Sequence, residues 1–277
     1  GLALAEIGPG RGTLMADMLR TIGRLDNRVL PQVHMVEASP RLTMAQQEKL
    51  KDATADIFWH AYPDSLPDAP LGIIANELFD AMPAAQYVKT ESGWFERVVC
   101  LSSKDELSFR ASDRLLSGAF LPDGHMAEPL GQIYETAPAR TAMLLSLAGR
   151  IKRNGGFALF IDYGHAEPGF GDTLQAVRSH EYAGVFDHPG EDDLTSHVDF
   201  AALAQAARGQ GLFASEVISQ GSFLNGCGIT ARAARLNSPD SAAALHRLTA
   251  DGEMGSLFKV LCISSAPVAL PPLQIQH

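Results

Sequence analysis

The chain has 277 residues, of which 46% are hydrophobic, and a formal net charge of −10. Phosphate binding needs a basic surface, so this balance argues against nucleic acid as a main partner and leaves a basic substrate open. The three cysteines are widely spaced, no histidines cluster at ligand spacing and no apolar stretch reaches the length of a membrane span, so we expect a reducing compartment, no metal site and no membrane insertion.

A glycine-rich turn follows the first apolar stretch. Residues 2–7 are typical of a buried strand, and after the turn at residues 8–12 the helical spacing of apolar side chains predicts a helix to about Leu25. Glycine permits positive φ and a close approach of the backbone to a ligand. A strand, a glycine turn and a helix N-terminus therefore predict a site for a nucleotide-like cofactor. The glycines assigned to it are Gly8, Gly10 and Gly12.

The acid before this turn discriminates between cofactors. Glu6 lies two residues before the first glycine, and Thr13 stands where a dinucleotide-binding turn needs its third glycine. A carboxylate at the mouth of the turn repels a pyrophosphate and favours a cationic ligand, so an NAD-linked oxidoreductase is disfavoured. The pattern resembles motif I of class I S-adenosylmethionine methyltransferases. An ordinary strand-to-helix connection is the alternative. Because the chain opens inside this strand, we expect a further segment to precede it.

A second acid ends the next predicted strand. Residues 33–37 form a short apolar run that closes with Glu37, and Ser39 and Pro40 then suit the N-cap and first position of a helix. An acid at this place can accept hydrogen bonds from both ribose hydroxyls. We therefore assign Glu37 and the adjacent Ala38 to the cofactor site. The alternative is a solvated strand end.

The remaining elements fit a Rossmann-like α/β fold with seven strands. Trp59, in a third strand, is assigned to the cofactor's adenine, with core packing as the alternative, and a fourth strand runs into Asn76. Ser196 and Asp199 resemble a capping box ahead of a helix. The chain is predicted to divide into a core segment at 1–85, an inserted β-rich segment at 86–135 and the rest of the core at 136–277, which contains a long loop at 166–195. The last predicted elements are a strand at 214–218, a helix at 230–248 and a strand at 257–263.

Five blocks of the chain together resemble the MidA-like family. In chain order they read EIGPGRGTLM, ANELFDAMP, IDYGH, GDTLQA and DLTSHVDF, from Glu6, Ala75, Ile161, Gly171 and Asp193. The resemblance implies an S-adenosylmethionine-dependent methyltransferase, and the family's mitochondrial members methylate protein arginine and help to assemble respiratory complex I. It implies a protein substrate, which can be a complex I core subunit, and a location in the cytoplasm of a bacterium or the mitochondrial matrix of a eukaryote. The family's N-terminal region, which contributes to the site in relatives, is expected to be missing.

Arginine as the acceptor requires carboxylates, because a guanidinium is planar and charged and is bound in bidentate fashion. The candidates for catalysis are Asn76, Glu77, Asp80 and Asp162, and those for substrate binding are Tyr163, His165 and Asp172. Asn76 is also assigned to the cofactor site. Asp80 can instead be a helix cap and Asp162 a strand terminator. The loop histidines, including His180, are interpreted as bonded to backbone rather than catalytic. A methyltransferase-like scaffold without activity is the non-enzymatic alternative, and the oligomeric state stays open.

Overall fold

Alternating strands and helices in the first sixty residues build one half of a central sheet. Strand β1 (Ala3–Ile7), helix α1 (Thr13–Leu25), strand β2 (Val33–Val36), helix α2 (Pro40–Leu50) and strand β3 (Ile57–His60) follow one another. Helix α2 begins as predicted, with the Ser39 hydroxyl accepting the Leu42 N–H and Pro40 at the first position. The computed structural model describes residues 1–25, 32–178, 181–267, 272–273 and 275–276.

A separate antiparallel sheet interrupts this alternation after strand β4 (Leu71–Asn76). Its strands are β5 (Ala85–Thr90), β6 (Gly93–Leu101), β7 (Leu107–Leu115) and β8 (Ile133–Thr136). They lie in the order β7-β6-β5-β8, so β7 and β8 are the edges. We call this element the inserted sheet.

Helix α3 (Pro138–Asn154) and strand β9 (Gly156–His165) return the chain to the central sheet. The segment predicted as a loop at 166–195 contains a small antiparallel sheet of β10 (Gln175–Arg178), β11 (Glu181–Ala183) and β12 (Asp193–Thr195). The rest of the described chain comprises β13 (Val198–Asp199), α4 (Phe200–Gly209), β14 (Phe213–Ser215), β15 (Ile218–Ser219), α5 (Gln220–Gly226), α6 (Ile229–Leu236), α7 (Pro239–Thr249), α8 (Met254–Leu257), β16 (Phe258–Ser264) and β17 (Ile275–Gln276).

The body of the central sheet has seven strands in the order β3-β2-β1-β4-β9-β16-β14, which confirms the predicted fold class. The first five are parallel, and β16 runs antiparallel to both β9 and β14. Short strands β13, β15 and β17 pair at its margins. Because the five parallel strands share a direction, the turns after β1, β2, β3, β4 and β9 meet at one edge.

Helices cover both faces of this sheet. Apolar residues of α3 and α4 form one buried cluster with alternate residues of β1, β4 and β9, while α1 and α2 pack with Met35 of β2 in a second cluster on the other face. Strand β16 shows the division directly, since Leu261 belongs to the first cluster and its neighbour Val260 to a third. Each fully buried aliphatic side chain contributes about 1.5 to 3 kcal/mol. None of the helices in the described ranges is long and apolar enough to cross a membrane.

Three sequence-based boundaries are wrong. Asp199 rather than Ser196 is the N-cap of α4: its carboxylate accepts the Ala202 N–H at 2.9 Å, because Val198 and Asp199 still pair with β9 as strand β13. The predicted helix 230–248 is two helices, because Asn237, at φ 45°, ends α6 and Ser238 caps α7.

The predicted strand 214–218 is also divided. Ala214 pairs with Ile263 and Ile218 with Val260, so four residue steps on one side match three on the other. The Ser215 hydroxyl accepts the Cys262 N–H at 3.0 Å and replaces a backbone acceptor. The extra residue is therefore accommodated as a break between β14 and β15.

Candidate active site

The glycine turn after β1 adopts the conformation that its sequence predicts. Gly8, Gly10 and Gly12 have φ of 67°, 54° and 74°, a region that other residues enter only with strain. The Gly8 N–H donates to the Val36 carbonyl at 3.0 Å, which joins the turn to β2. A Cβ on Gly10 would meet no atom within 4 Å, so the backbone there faces open space that a ligand can fill.

Glu6 has a buried carboxyl group with an unpartnered oxygen. The side chain is 3% exposed, and its Oε2 atom has no hydrogen-bond partner among the residues that the structure describes. The Met15 N–H of α1 donates to the carboxyl group. Burial raises the pKa of Glu6 to about 7, and the Met15 N–H only partly opposes the shift. A cationic group at this edge would stabilise the ionised form of Glu6.

Glu37 is half-buried and held by two donors. The Ser39 N–H donates to Oε1 at 2.8 Å, and the Gln46 side-chain amide donates to Oε2 at 3.3 Å. A carboxylate can accept about four hydrogen bonds, so each oxygen keeps capacity for a ligand hydroxyl. The adjacent Ala38 is exposed.

Trp59 and the turn are connected through Gln46, a residue that the sequence-based prediction missed. Gln46 lies on α2 and is fully buried. Its amide nitrogen donates to the Gly10 carbonyl at 2.8 Å, and its amide oxygen accepts the Trp59 indole N–H at 3.2 Å. The structure thereby brings together four of the predicted cofactor residues through one side chain: Gly10, Gly12, Glu37 and Trp59.

Asn76 and Glu77 occupy the end of β4. The Asn76 amide donates to the Glu77 carboxylate at 3.0 Å, and the Glu77 N–H donates to the Ile161 carbonyl at 2.9 Å. Glu77 has a φ of 52°, an uncommon conformation for a residue with a side chain. Its side chain is exposed, so its charge is available to an incoming molecule.

Asp80 and Asp162 are buried together, which differs from the open placement that binding of an acceptor requires. Asp162 accepts the N–H groups of Phe79, Asp80 and Tyr163 at 2.9, 3.3 and 2.9 Å. Burial, and then the charge of Asp80, raises the pKa of Asp162 to about 7. Within the described part of the chain, the buried Oδ1 atom of Asp80 has no hydrogen-bond partner. The Tyr163 hydroxyl lies against Asp80 and Thr195, and burial raises its pKa.

Arg140, on the first turn of α3, fastens the segment that follows β4. Its guanidinium donates to the backbone carbonyls of Phe79, Asp80, Ser196 and His197 and to the Ser196 hydroxyl. Its pKa is lowered by burial, and the nearby Asp162 opposes that shift. Arg140 thus joins the turn after β4 to the chain ahead of α4, a contact that no local pattern could indicate.

Asp172 lies in a network within the protein rather than free on a loop. Its carboxylate accepts from Arg97 at 2.6 Å and from Gln86 at 2.8 Å. Glu135 of β8 accepts from Gln86 at 2.7 Å and from the Thr173 N–H at 3.0 Å. These bonds fasten the start of the 166–195 segment to the inserted sheet. They also give the Asp172 carboxylate, assigned to the substrate, a cationic partner within the protein, Arg97.

His165 ends β9, where its Nδ1 atom lies 2.6 Å from the Glu167 carbonyl. It borders a cavity of about 470 Å³ between α3 and α4, whose lining includes Tyr134, Glu135, Arg140 and His197. The residues of the glycine turn do not line this cavity. His180 lies outside the described residues. Within the described ranges, no group of three or more His, Cys, Asp or Glu residues is suited to hold a metal ion.

A family model described as S-adenosyl-L-methionine-dependent methyltransferase matches residues 1–218. The chain is 31% identical to a protein of Xenopus tropicalis named protein arginine methyltransferase NDUFAF7, mitochondrial, over 98% of this chain and 71% of that one. It is 33% identical to the Danio rerio protein of the same name, over 83% of this chain and 60% of that one. The chain thus spans between about half and three quarters of the curated relatives it matches.

Two solved structures resemble this chain in fold over most of its length. A Burkholderia thailandensis protein bound to S-adenosyl-homocysteine is 29% identical, with a TM-score of 0.81 over 95% of this chain and 71% of that one. A native structure from the same organism is 28% identical, with a TM-score of 0.80 over 95% of this chain and 74% of that one.

Glu6 makes the stability of the protein depend on pH. Between its ordinary pKa of 4.5 and the raised value of about 7, the folded protein binds more protons at Glu6 than the unfolded chain does. Stability is therefore greatest below that window and is lost as pH rises through it. We expect Glu6→Gln to be more stable than the wild type at pH 8, by roughly 3 kcal/mol, and nearly equal at pH 4.5, in urea unfolding.

The matched control for Glu6 is Asp17→Asn. Asp17 lies on α1 with its side chain 63% exposed, so this change should alter stability little at either pH. Equal stability of Glu6→Gln and the wild type at pH 8 would contradict the burial argument.

Arg140→Met should destabilise the protein by about 3 to 5 kcal/mol, because buried carbonyls lose their donors and the nearby carboxyl groups lose a positive charge. Arg153→Met is the control, since Arg153 is exposed on the same helix and should tolerate the change. Thermal and urea unfolding measure both. Similar effects of the two substitutions would show that Arg140 does not fasten the turn.

Proposed function

Because the chain belongs to the family of S-adenosyl-L-methionine-dependent methyltransferases, we propose that it methylates an arginine side chain of a protein. The relatives' names support the acceptor class. The observation that carries the proposal in this chain is Glu77, an exposed carboxylate at the same sheet edge as the glycine turn. We also propose that the acceptor is a subunit of respiratory complex I, as the MidA-like resemblance implies, in the mitochondrial matrix or the bacterial cytoplasm.

The residues at the sheet edge fit the cofactor. Gly10 leaves open space where any other residue would project a Cβ, and Glu6 offers a buried oxygen without a partner. Glu6 would hold the positive amino group of the methionine part, and Glu37 would accept the ribose hydroxyls. When bound, S-adenosylmethionine supplies an electrophilic methyl group. Trp59 would flank the adenine, with Gly8, Gly12 and Ala38 beside it.

Glu77 and Asn76 suit the binding of a guanidinium. A carboxylate holds this planar cation through paired hydrogen bonds and so selects which nitrogen faces the methyl group. Orientation of this kind contributes about 7 to 11 kcal/mol to such displacements. Methylation of a guanidinium releases one proton, and the exposed Glu77 can pass it to water. The protein therefore needs no nucleophile of its own.

Asp80 and Asp162 are proposed to position Glu77 rather than to bind the acceptor. Asp162 accepts N–H groups from the two residues that follow Leu78, and its carboxylate is 1% exposed. A guanidinium could reach it only by displacing those bonds. Tyr163 lies in the same buried cluster, while His165, which borders the cavity between α3 and α4, is more accessible than Tyr163.

Gly10→Val should abolish binding of S-adenosylmethionine while leaving the protein folded. Valine at a φ of 54° is strained, and its side chain fills the open space at the turn. Isothermal titration measures the affinity. Gly124→Val is the control. Gly124 also has a positive φ, and an added Cβ would meet no atom within 4 Å, but it lies between β7 and β8 of the inserted sheet. An unchanged affinity in Gly10→Val would remove the cofactor from this turn.

Glu77→Gln should reduce methyl transfer at least tenfold, because it loses a charge-assisted hydrogen bond worth about 1.5 to 3 kcal/mol, while affinity for S-adenosylmethionine stays nearly constant. Radiolabelled methyl transfer to matched peptides that contain arginine or lysine measures turnover and acceptor class together. Glu48→Gln on α2, which is exposed, is the control. Preference for the lysine peptide would refute the arginine proposal, and binding without transfer to any peptide would favour an inactive scaffold.

A further inference from the structure

Gln46 is a fully buried amide whose three hydrogen bonds all go to the cofactor edge. One nitrogen serves Gly10 and Glu37, at 2.8 and 3.3 Å, and the oxygen accepts from Trp59 at 3.2 Å. A glutamine amide has two N–H donors and one oxygen, so all the groups that face Gln46 match its own donors and acceptor.

The orientation of this amide is fixed by its partners. The Trp59 indole N–H is a donor only, whereas the Gly10 carbonyl and an ionised Glu37 are acceptors only. Rotation of the amide by half a turn would place donor against donor and acceptor against acceptor. Gln46 can therefore satisfy these three partners in one way, and none of them can move without loss of a bond.

The Gln46 side chain also packs closely against the glycine turn. A Cβ on Gly12 would lie 3.3 Å from the Gln46 Cγ atom, so α2 approaches the turn closely enough that Gly12 and Gln46 depend on each other. The N-cap of α2 adds to this, since the Ser39 N–H holds the other oxygen of Glu37. One residue on α2 thus contacts the turn after β1, the acid after β2 and the tryptophan of β3.

We propose that Gln46 is a positioning residue for the adenosine half of the cofactor, acting through Glu37 and Gly10. This inference rests on the proposed function, because it takes S-adenosylmethionine as the ligand. Gln46 turns the Glu37 carboxylate so that one acceptor site on each oxygen stays free, and it fixes the Gly10 carbonyl inside the protein. The ribose then meets an acid that is already oriented.

Gln46→Met tests the proposal, because methionine keeps the length of the side chain and removes both donors. We expect affinity for S-adenosyl-homocysteine in titration to fall about tenfold. Gln47→Met is the matched control, one residue along α2 and exposed, and should bind as the wild type does. In the Gln46→Met and Glu37→Ala double variant the losses should be less than additive. Full additivity, or unchanged affinity in Gln46→Met, would overturn the proposal.

Gln46→Glu keeps the test decisive if the methionine variant does not fold. Its ionised carboxylate repels Glu37 and the Gly10 carbonyl, whereas the protonated form can donate one bond. Its affinity relative to the wild type should therefore rise as pH falls, and a constant ratio would count against the proposal.

Tryptophan fluorescence separates this inference from the proposed function. The chain has two tryptophans, Trp59 and Trp94, so Trp94→Phe leaves Trp59 as the sole reporter. In that background Gln46→Met should shift the emission of the ligand-free protein by loss of the indole hydrogen bond. A wild type that binds no S-adenosyl-homocysteine would refute the proposed cofactor, and with it the positioning role, even if the fluorescence shift confirmed the contact.

Discussion

Two buried side chains of opposite charge hold the peptide groups of Phe79 and Asp80. Asp162 accepts their N–H groups, and Arg140 donates to their carbonyls. The backbone N–H and carbonyl groups of both residues thereby bond to a side chain, Asp162 of β9 or Arg140 of α3, instead of to the backbone of a strand or helix. An unpaired buried peptide group costs about 1 to 3 kcal/mol, so this segment can be irregular and still lie inside the protein. The position of Glu77, and of the sheet edge around it, depends on that arrangement.

The electrostatics of the cluster follow from its burial. Asp80 and Asp162 are both nearly inaccessible to solvent. Arg140 donates to the Asp80 carbonyl and to the Ser196 carbonyl ahead of α4. Burial, and then the charge of Asp80, raises the pKa of Asp162. Burial also raises the pKa of Glu6. The acids at this edge thus include two buried groups with raised pKa values, Glu6 and Asp162, and the exposed Glu77.

Patterns within a few residues predicted much of the fold and part of the site. The glycine turn, the Ser39 cap and the acid after β2 depend on neighbours in sequence, and the structure has the turn and the cap as expected. Gln46 and Arg140 could not be found this way, because their partners lie 36 and 61 residues distant. The Ser196 error has the same origin, since pairing of β13 with β9 moved the helix start to Asp199.

Three acids of the segment at 166–195 are paired with arginines of the protein itself. Asp172 pairs with Arg97, whose guanidinium also lies 3.8 Å over the Phe109 ring, and Arg178 pairs with Glu191 and Asp192. Exposed pairs of this kind contribute little stability individually. They nevertheless give three acids of the segment a cationic partner, and they fasten the segment to the inserted sheet and to itself. We therefore propose that a guanidinium is selected at the end of β4, where the exposed Glu77 accepts a hydrogen bond from the Asn76 amide.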